Sequence, residues 1–144
     1  MATRWTQNAL YLLMKGEIDL ESDTLIWILM DTGFTFNQAS HHVYSDVSGS
    51  ELATGAGYTQ KTKEAEGVSL VRNDTLFKPV ITWSNAAWTA SGSAIGPSPG
   101  AFLLDDTHAD DPLLFYVDFG GEGSEPDGGV FTIANPTAEI VTYY

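Results

Sequence analysis

Cysteine is absent from the 144 residues, and with it go disulfides, thiolate metal sites and cysteine nucleophiles. Cations are scarce and unevenly placed. The six basic residues (Arg4, Lys15, Lys61, Lys63, Arg72 and Lys78) all precede residue 79, whereas the chain beyond carries nine acids and no Lys or Arg, and the formal net charge is −13. Nucleic-acid binding draws most of its affinity from cationic groups that displace phosphate counterions, so direct contact with DNA or RNA is not expected. Long apolar runs are lacking too. A membrane span needs about 18 consecutive apolar residues, and the apolar part of Asn8–Met14, even with Lys15 beside it, is too short for a span or a cleavable signal.

What the chain does have is material for a core. Hydrophobic residues make up 43% and aromatic residues 12% of it, enough to offset the entropy of ordering by burial. The length suits one domain, 1–144, since domains cluster near roughly 100–150 residues.

Trp5, Ala9, Leu12 and Leu13 recur at helical spacing, and Lys15-Gly16 supplies a C-terminal signal, so one short helix is expected over 5–15. Strands follow. Thr24–Met30 is a continuous apolar run between Asp23 and Asp31-Thr32-Gly33, which suits a central strand covered on both faces. Leu113–Phe119 alternates, placing Leu113, Phe115, Val117 and Phe119 on a buried face and Leu114, Tyr116 and Asp118 on a partly wet one. Val80–Trp83, Ala87–Ala90, Ala101–Leu104, Val130–Ala134 and Ile140–Tyr144 are further short candidates, separated by Gly, Pro, Asn and Asp. Pro79 assigns its strand start to an edge or a bulge. The fold class expected is therefore mainly β, a β-sandwich or jelly-roll-like single domain with one N-terminal helix. The polar, glycine-rich segments 37–58 and 120–129 read as long loops, mobile or ordered by a partner.

No catalytic constellation emerges. The densest ionisable run is Asp105-Asp106-Thr107-His108-Ala109-Asp110-Asp111, in which Asp105, Asp106 and Asp110 could hold a divalent cation if their oxygens converged; with His108 they are also the best set for a metal-dependent hydrolase. The run lacks EF-hand spacing, and a solvated turn ending at Asp111-Pro112 is the favoured reading. His41 and His42 are adjacent, so in a strand they point to opposite faces and cannot serve one site. Gly55-Ala56-Gly57-Tyr58 lacks the third glycine and the strand and helix of a phosphate cradle, and no nucleophile-elbow pattern accompanies the serines. The chain is expected not to be an enzyme and to need no cofactor. Of the four tryptophans, Trp5, Trp27 and Trp83 are expected in the core with their indole N–H groups partnered, and Trp88 is expected to face solvent or another subunit.

In order, Asp19-Leu20 with Ser22-Asp23-Thr24-Leu25, Tyr44-Ser45-Asp46-Val47, Gly55-Ala56-Gly57-Tyr58-Thr59, Val80-Ile81-Thr82-Trp83-Ser84-Asn85-Ala86, Asp105-Asp106-Thr107, Leu114–Gly120 and Gly129–Ile133 resemble the spaced signature of a family of small virion proteins from tailed bacteriophages. The resemblance spans most of the chain. Ala90–Gly100 departs from it, as an insertion between the tryptophan-bearing strand and the segment before the acidic turn. It implies a β-rich structural protein made in the host cytoplasm and carried on the outer capsid surface, a decoration or cement protein bound to the major capsid protein. A tail-associated adhesion or carbohydrate-binding module is the alternative. Capsid seams offer two-fold and three-fold positions, so self-association as a dimer or trimer is expected. Aromatic residues dominate interface energy, and Trp5, Phe34, Phe36, Tyr44, Tyr58 and Trp88 are the candidate anchors.

Overall fold

The computed structural model describes residues 2–134 and 138–139. The chain opens with a strand, β1 (Ala2–Trp5), and the helix α1 follows at Gln7–Lys15. Trp5 therefore ends a strand where helix was expected. Thr6 makes the break: its backbone is extended, and its side chain accepts the N–H of Ala9 as an N-cap. At the other end the expected glycine cap is present. Gly16 is left-handed at φ 75°, its N–H donates to Leu13 O, and the N–H of Glu17 donates to Leu12 O, which satisfies the last carbonyls of the helix.

Next come β2 (Leu25–Leu29), a single helical turn α2 (Tyr44–Val47), β3 (Lys63–Glu64), β4 (Ser69–Asn73), β5 (Lys78–Thr82) and β6 (Ala86–Thr89). The two longest strands, β7 (Ile95–Asp105) and β8 (Leu113–Glu125), precede β9 (Val130–Ile133) and β10 (Ala138–Glu139). The candidate strand at Ile140–Tyr144 lies outside the described residues. The chain is mainly β, as expected. Its centre is an antiparallel five-stranded sheet in the order β1-β8-β7-β2-β3, accompanied by a three-stranded sheet β10-β5-β4 and a two-stranded ladder β6-β9.

All five residues of β2 are buried, in keeping with a central strand. One face of the sheet meets α1 and the small sheets over a core in which Trp5, Trp27, Trp83 and Phe115 pack ring on ring at 4.9–5.9 Å between centroids. Among the described residues the Nε1–H groups of Trp5, Trp27 and Trp83 are buried there without an acceptor, contrary to the partnered indoles expected. The second face is covered as well. Phe36 and Val47, with Phe34 and Tyr44 beside them, close over Ile28, Phe102, Leu104 and Tyr116. Leu113–Val117 is therefore buried on both faces: of the face expected to be partly wet, Tyr116 is covered by Phe34 and Phe36, Leu114 turns to the first core, and Asp118 is partly exposed.

Of the two expected long loops, 37–58 is a loop apart from the α2 turn and the next residues, and 120–129 is corrected over its first half. Segment 37–58 is held by the chain itself, and Gly120–Glu125 is strand, paired to the start of β7 through Ser98↔Gly123 and Ile95↔Glu125. The glycines of this ladder permit close approach of backbones: a Cβ on Gly96 would sit 2.5 Å from Gly123 O, and one on Gly100 would sit 2.2 Å from the Tyr116 hydroxyl. The segment Ala90–Gly100 thus supplies the first half of β7.

Pro79 sits opposite Arg72 in the β4–β5 ladder. The N–H of Leu70 turns away from β5 to the Glu21 carboxylate, at 2.9 Å. By alternation Arg72 also turns outward, so the ladder asks no N–H of Pro79.

Candidate functional site

The acidic turn between β7 and β8 does not gather its oxygens at one point. Asp106 and Asp111 both contact Lys61 Nζ, at 2.9 and 2.7 Å, and Asp110 is exposed, with its N–H donating to His108 Nδ1. The other ring nitrogen of His108 lies 3.4 Å from Glu17. Asp105 points inward. It is fully buried, its Oδ1 accepts the N–H groups of Thr107 and His108, and its Oδ2 has no donor among the described residues. Instead its carboxyl faces that of Asp23, and it is pushed up to about 6, first by burial and next by Asp23, against the two N–H groups that favour its charge. Among the described residues, no three His, Cys, Asp or Glu side chains are arranged to hold a metal ion. The candidate set Asp105, Asp106 and Asp110 is thus dispersed over an inward carboxyl pair, a lysine clamp and solvent.

A second polar cluster ties down the segment before β3. Glu51, only 4% exposed, accepts the hydroxyls of Tyr44 and Tyr58 at 2.6 and 2.7 Å and the N–H of Lys61 at 2.9 Å. Tyr58 in turn accepts the N–H of Leu29 on the central strand. Burial, then the Glu51 contact, raises the Tyr44 phenol to about 12, and burial with the Glu51 charge holds Tyr58 higher still. Both phenols therefore stay protonated and serve as donors.

The proposed aromatic anchors are mostly internal. Trp5, Phe36, Tyr58 and Trp88 are buried, and Phe34 and Tyr44 are partly so. Trp88 is the clearest correction: it packs between Tyr58 and Phe131, and Lys63 caps its ring at 5.8 Å. His41 and His42 are partly buried: His41 Nδ1 accepts the Asn37 N–H, and His42 Nε2 lies 3.2 Å from Ala39 O.

Exposed apolar side chains are concentrated elsewhere, on the β4–β5 hairpin. Leu70, Val71 and Leu76 are each nearly half exposed, and Phe77 at the turn is 89% exposed. Asn73 Oδ1 accepts the N–H groups of Thr75 and Leu76, closing the turn, and Phe77 follows in a left-handed conformation at φ 55°. A concave feature lies apart from the hairpin's residues: a groove of about 290 Å³ between β8 and β9, lined among the described residues by Phe119, Gly123, Ser124, Glu125, Phe131 and Thr132. Its two rings stand 5.8 Å apart, tilted by 54°. Sequence reasoning passed over the hairpin tip because apolar residues are by default assigned inside; the available signal was Asn73-Asp74-Thr75, a turn sequence running straight into Leu76-Phe77.

No described helix is long and apolar enough to cross a membrane. Comparisons with protein-family models, with curated proteins and with solved structures give no match.

Proposed function

We propose that the chain is a non-catalytic structural protein of a tailed-phage particle, a decoration or cement protein bound outside the head to the major capsid protein. The observation that carries a binding role is the placement of exposed apolar surface. Internal bonds pin the long polar segments to the sheet, while Leu70, Val71, Leu76 and Phe77 are presented to solvent on one hairpin. Apolar surface held out from an ordered body marks a contact surface for another protein. An acidic exterior suits a position outside the genome, where contact with phosphate is not required. The resemblance in segment order supplies the phage context.

A cement protein works by adding contact free energy across seams of the shell, so that disruption must break those contacts too. The alternative of a sugar-binding module needs an exposed aromatic platform; the four tryptophans are all at most 6% exposed, and the exposed rings among the described residues, Tyr11 and Phe77, lie on separate elements. Mass spectrometry of purified particles, with heads separated from tails, tests the proposal. The expected result is this chain in the head fraction, with heads lacking it opening at lower temperature. Its absence from virions, or its presence in tails alone, would overturn the assignment.

A further inference from the structure

Two stretches far apart in the chain meet at one joint: residues 17–24, between α1 and β2, and the acidic turn 105–111. The N–H of Thr24 donates to Thr107 Oγ1 at 2.8 Å, and that of Asp106 donates to Thr24 O at 2.9 Å. Two further contacts across the joint depend on a proton. Asp105 is fully buried with no donor to its Oδ2 among the described residues, and its carboxyl faces that of Asp23; two carboxylates so placed repel until one is protonated. His108 Nε2 lies 3.4 Å from Glu17 Oε2, a contact that becomes an ion pair only when the imidazole is charged.

Both contacts respond to acid in the same direction. Burial, and next Asp23, push the Asp105 carboxyl up to about 6 from 3.8; a group raised in the closed joint stabilises closure at lower pH and ceases to as pH rises through 6. A carboxyl with these two values favours closure roughly tenfold more at pH 5 than at pH 8. The other charges at the joint are already engaged. Glu17 also pairs with Lys15, Asp19 accepts the N–H groups of Glu21 and Ser22, and Asp23 accepts that of Asp19. Lys15 first and His108 next hold Glu17 below the usual carboxylate range, and the Glu21 N–H does the same for Asp19, so both stay charged across this window. Lys61 is shared by Asp106 and Asp111, and Asp110 is exposed.

The joint also reaches the β4–β5 hairpin. Glu21, in the same stretch, accepts the N–H of Leu70 at 2.9 Å, so loosening 17–24 releases β4, the edge strand that bears the exposed side chains of Leu70 and Val71. We propose that the meeting of Asp23 with Asp105 and of Glu17 with His108 is a proton-operated latch: acid closes 17–24 onto the 105–111 turn and fixes the hairpin, and alkali loosens both. The proton thereby governs how firmly this apolar surface is held. The proposal stands independently of the virion assignment.

The test is hydrogen exchange of backbone amides at pH 5 and pH 8, corrected for the intrinsic effect of pH on exchange and repeated over low urea concentrations. The amides of Thr24, Asp106 and Leu70 are expected to be roughly tenfold less protected at pH 8, through an opening that low urea does not accelerate, which marks a local event. In Asp105→Asn the difference should shrink to the part carried by His108, and in Asp105→Asn/His108→Gln it should vanish; an unchanged near-ultraviolet dichroism spectrum verifies that each variant folds. Equal protection at the two pH values in wild type would overturn the proposal. So would acceleration by urea as steep as that of core amides in β2 and β7, since the chain would then be opening as a whole. A double variant that keeps the full difference, or a Leu70 amide indifferent to pH while that of Thr24 responds, would overturn it too.

Discussion

The carboxyl of Asp105 faces that of Asp23 inside the turn that follows β7, and Asp105 Oδ2 has no N–H or O–H to accept from. A proton between the two groups relieves both the repulsion and the missing donor. Because the folded-state pKa of Asp105 is raised to about 6 from 3.8, the folded chain binds more protons than the unfolded one across that window. The contribution to stability is complete below about pH 4 and is lost as pH rises through 6.

Asp105→Asn is therefore expected to be stabilising at pH 8, by up to about 3 kcal/mol at a conversion of ~1.4 kcal/mol per pKa unit, and close to neutral at pH 4. The amide keeps the acceptor for Thr107 and His108 and supplies an N–H to Asp23. Urea titrations of both proteins across this pH range check it. A variant less stable than wild type at pH 8 would show that the two carboxyls do not repel.

Tyr58→Phe removes one hydroxyl that donates to Glu51 and accepts from Leu29. A buried group left without its partner costs about 1–3 kcal/mol, so a loss of about 2 kcal/mol is expected. Tyr44→Phe, at a partly exposed phenol, should cost less. Amide exchange should speed up across 48–62 in Tyr58→Phe, which distinguishes release of that segment from general loosening.

Thr6→Ala deletes the N-cap of α1 and a buried hydroxyl that donates to Leu113 O at 2.5 Å. Cap loss alone costs about 1 kcal/mol, and the stranded carbonyl raises the expected total to about 2 kcal/mol. Thr6→Ser keeps both bonds and should recover most of it in denaturant titrations.

Two glycines in the paired strands β7 and β8 respond differently to an added side chain. At Gly100 a Cβ would lie 2.2 Å from the Tyr116 hydroxyl and 2.5 Å from Val117 O, so Gly100→Ala is expected to cost at least about 3 kcal/mol through overpacking. At Gly121 nothing lies within 4 Å and φ is not positive. Gly121→Ala should be neutral or stabilising by up to about 1 kcal/mol.

Elements with a strong local pattern were legible in the chain itself. Leu12, Leu13, Lys15 and Gly16 announce the end of α1, and the unbroken run through Trp27 announces a strand covered on both sides. Contacts between distant segments were not. Nothing near Leu104 or Tyr116 reveals that Phe36 and Val47 will cover them, and Asp23 gives no sign that it will meet Asp105. Glycines misled for a related reason: those of 120–125 lie in a strand whose partner approaches closely at Gly96, while the same composition is typical of loops. Trp88 looked exposed because Ala87 and Thr89 flank it, yet its neighbours come from β9 and from Tyr58. The candidate cation ligands failed on direction alone, since Asp105 turns inward while Lys61 draws Asp106 and Asp111 aside.

The outermost strand of the central sheet, β3, is two residues long and pairs only with Ile26 and Trp27. A stranger seeking to add itself by backbone pairing finds almost no template there, and Lys63 and Glu64 place charge on the little that is offered. Crowding many copies side by side, as any dense assembly requires, therefore carries little risk of fusing them along this rim into a runaway fibre.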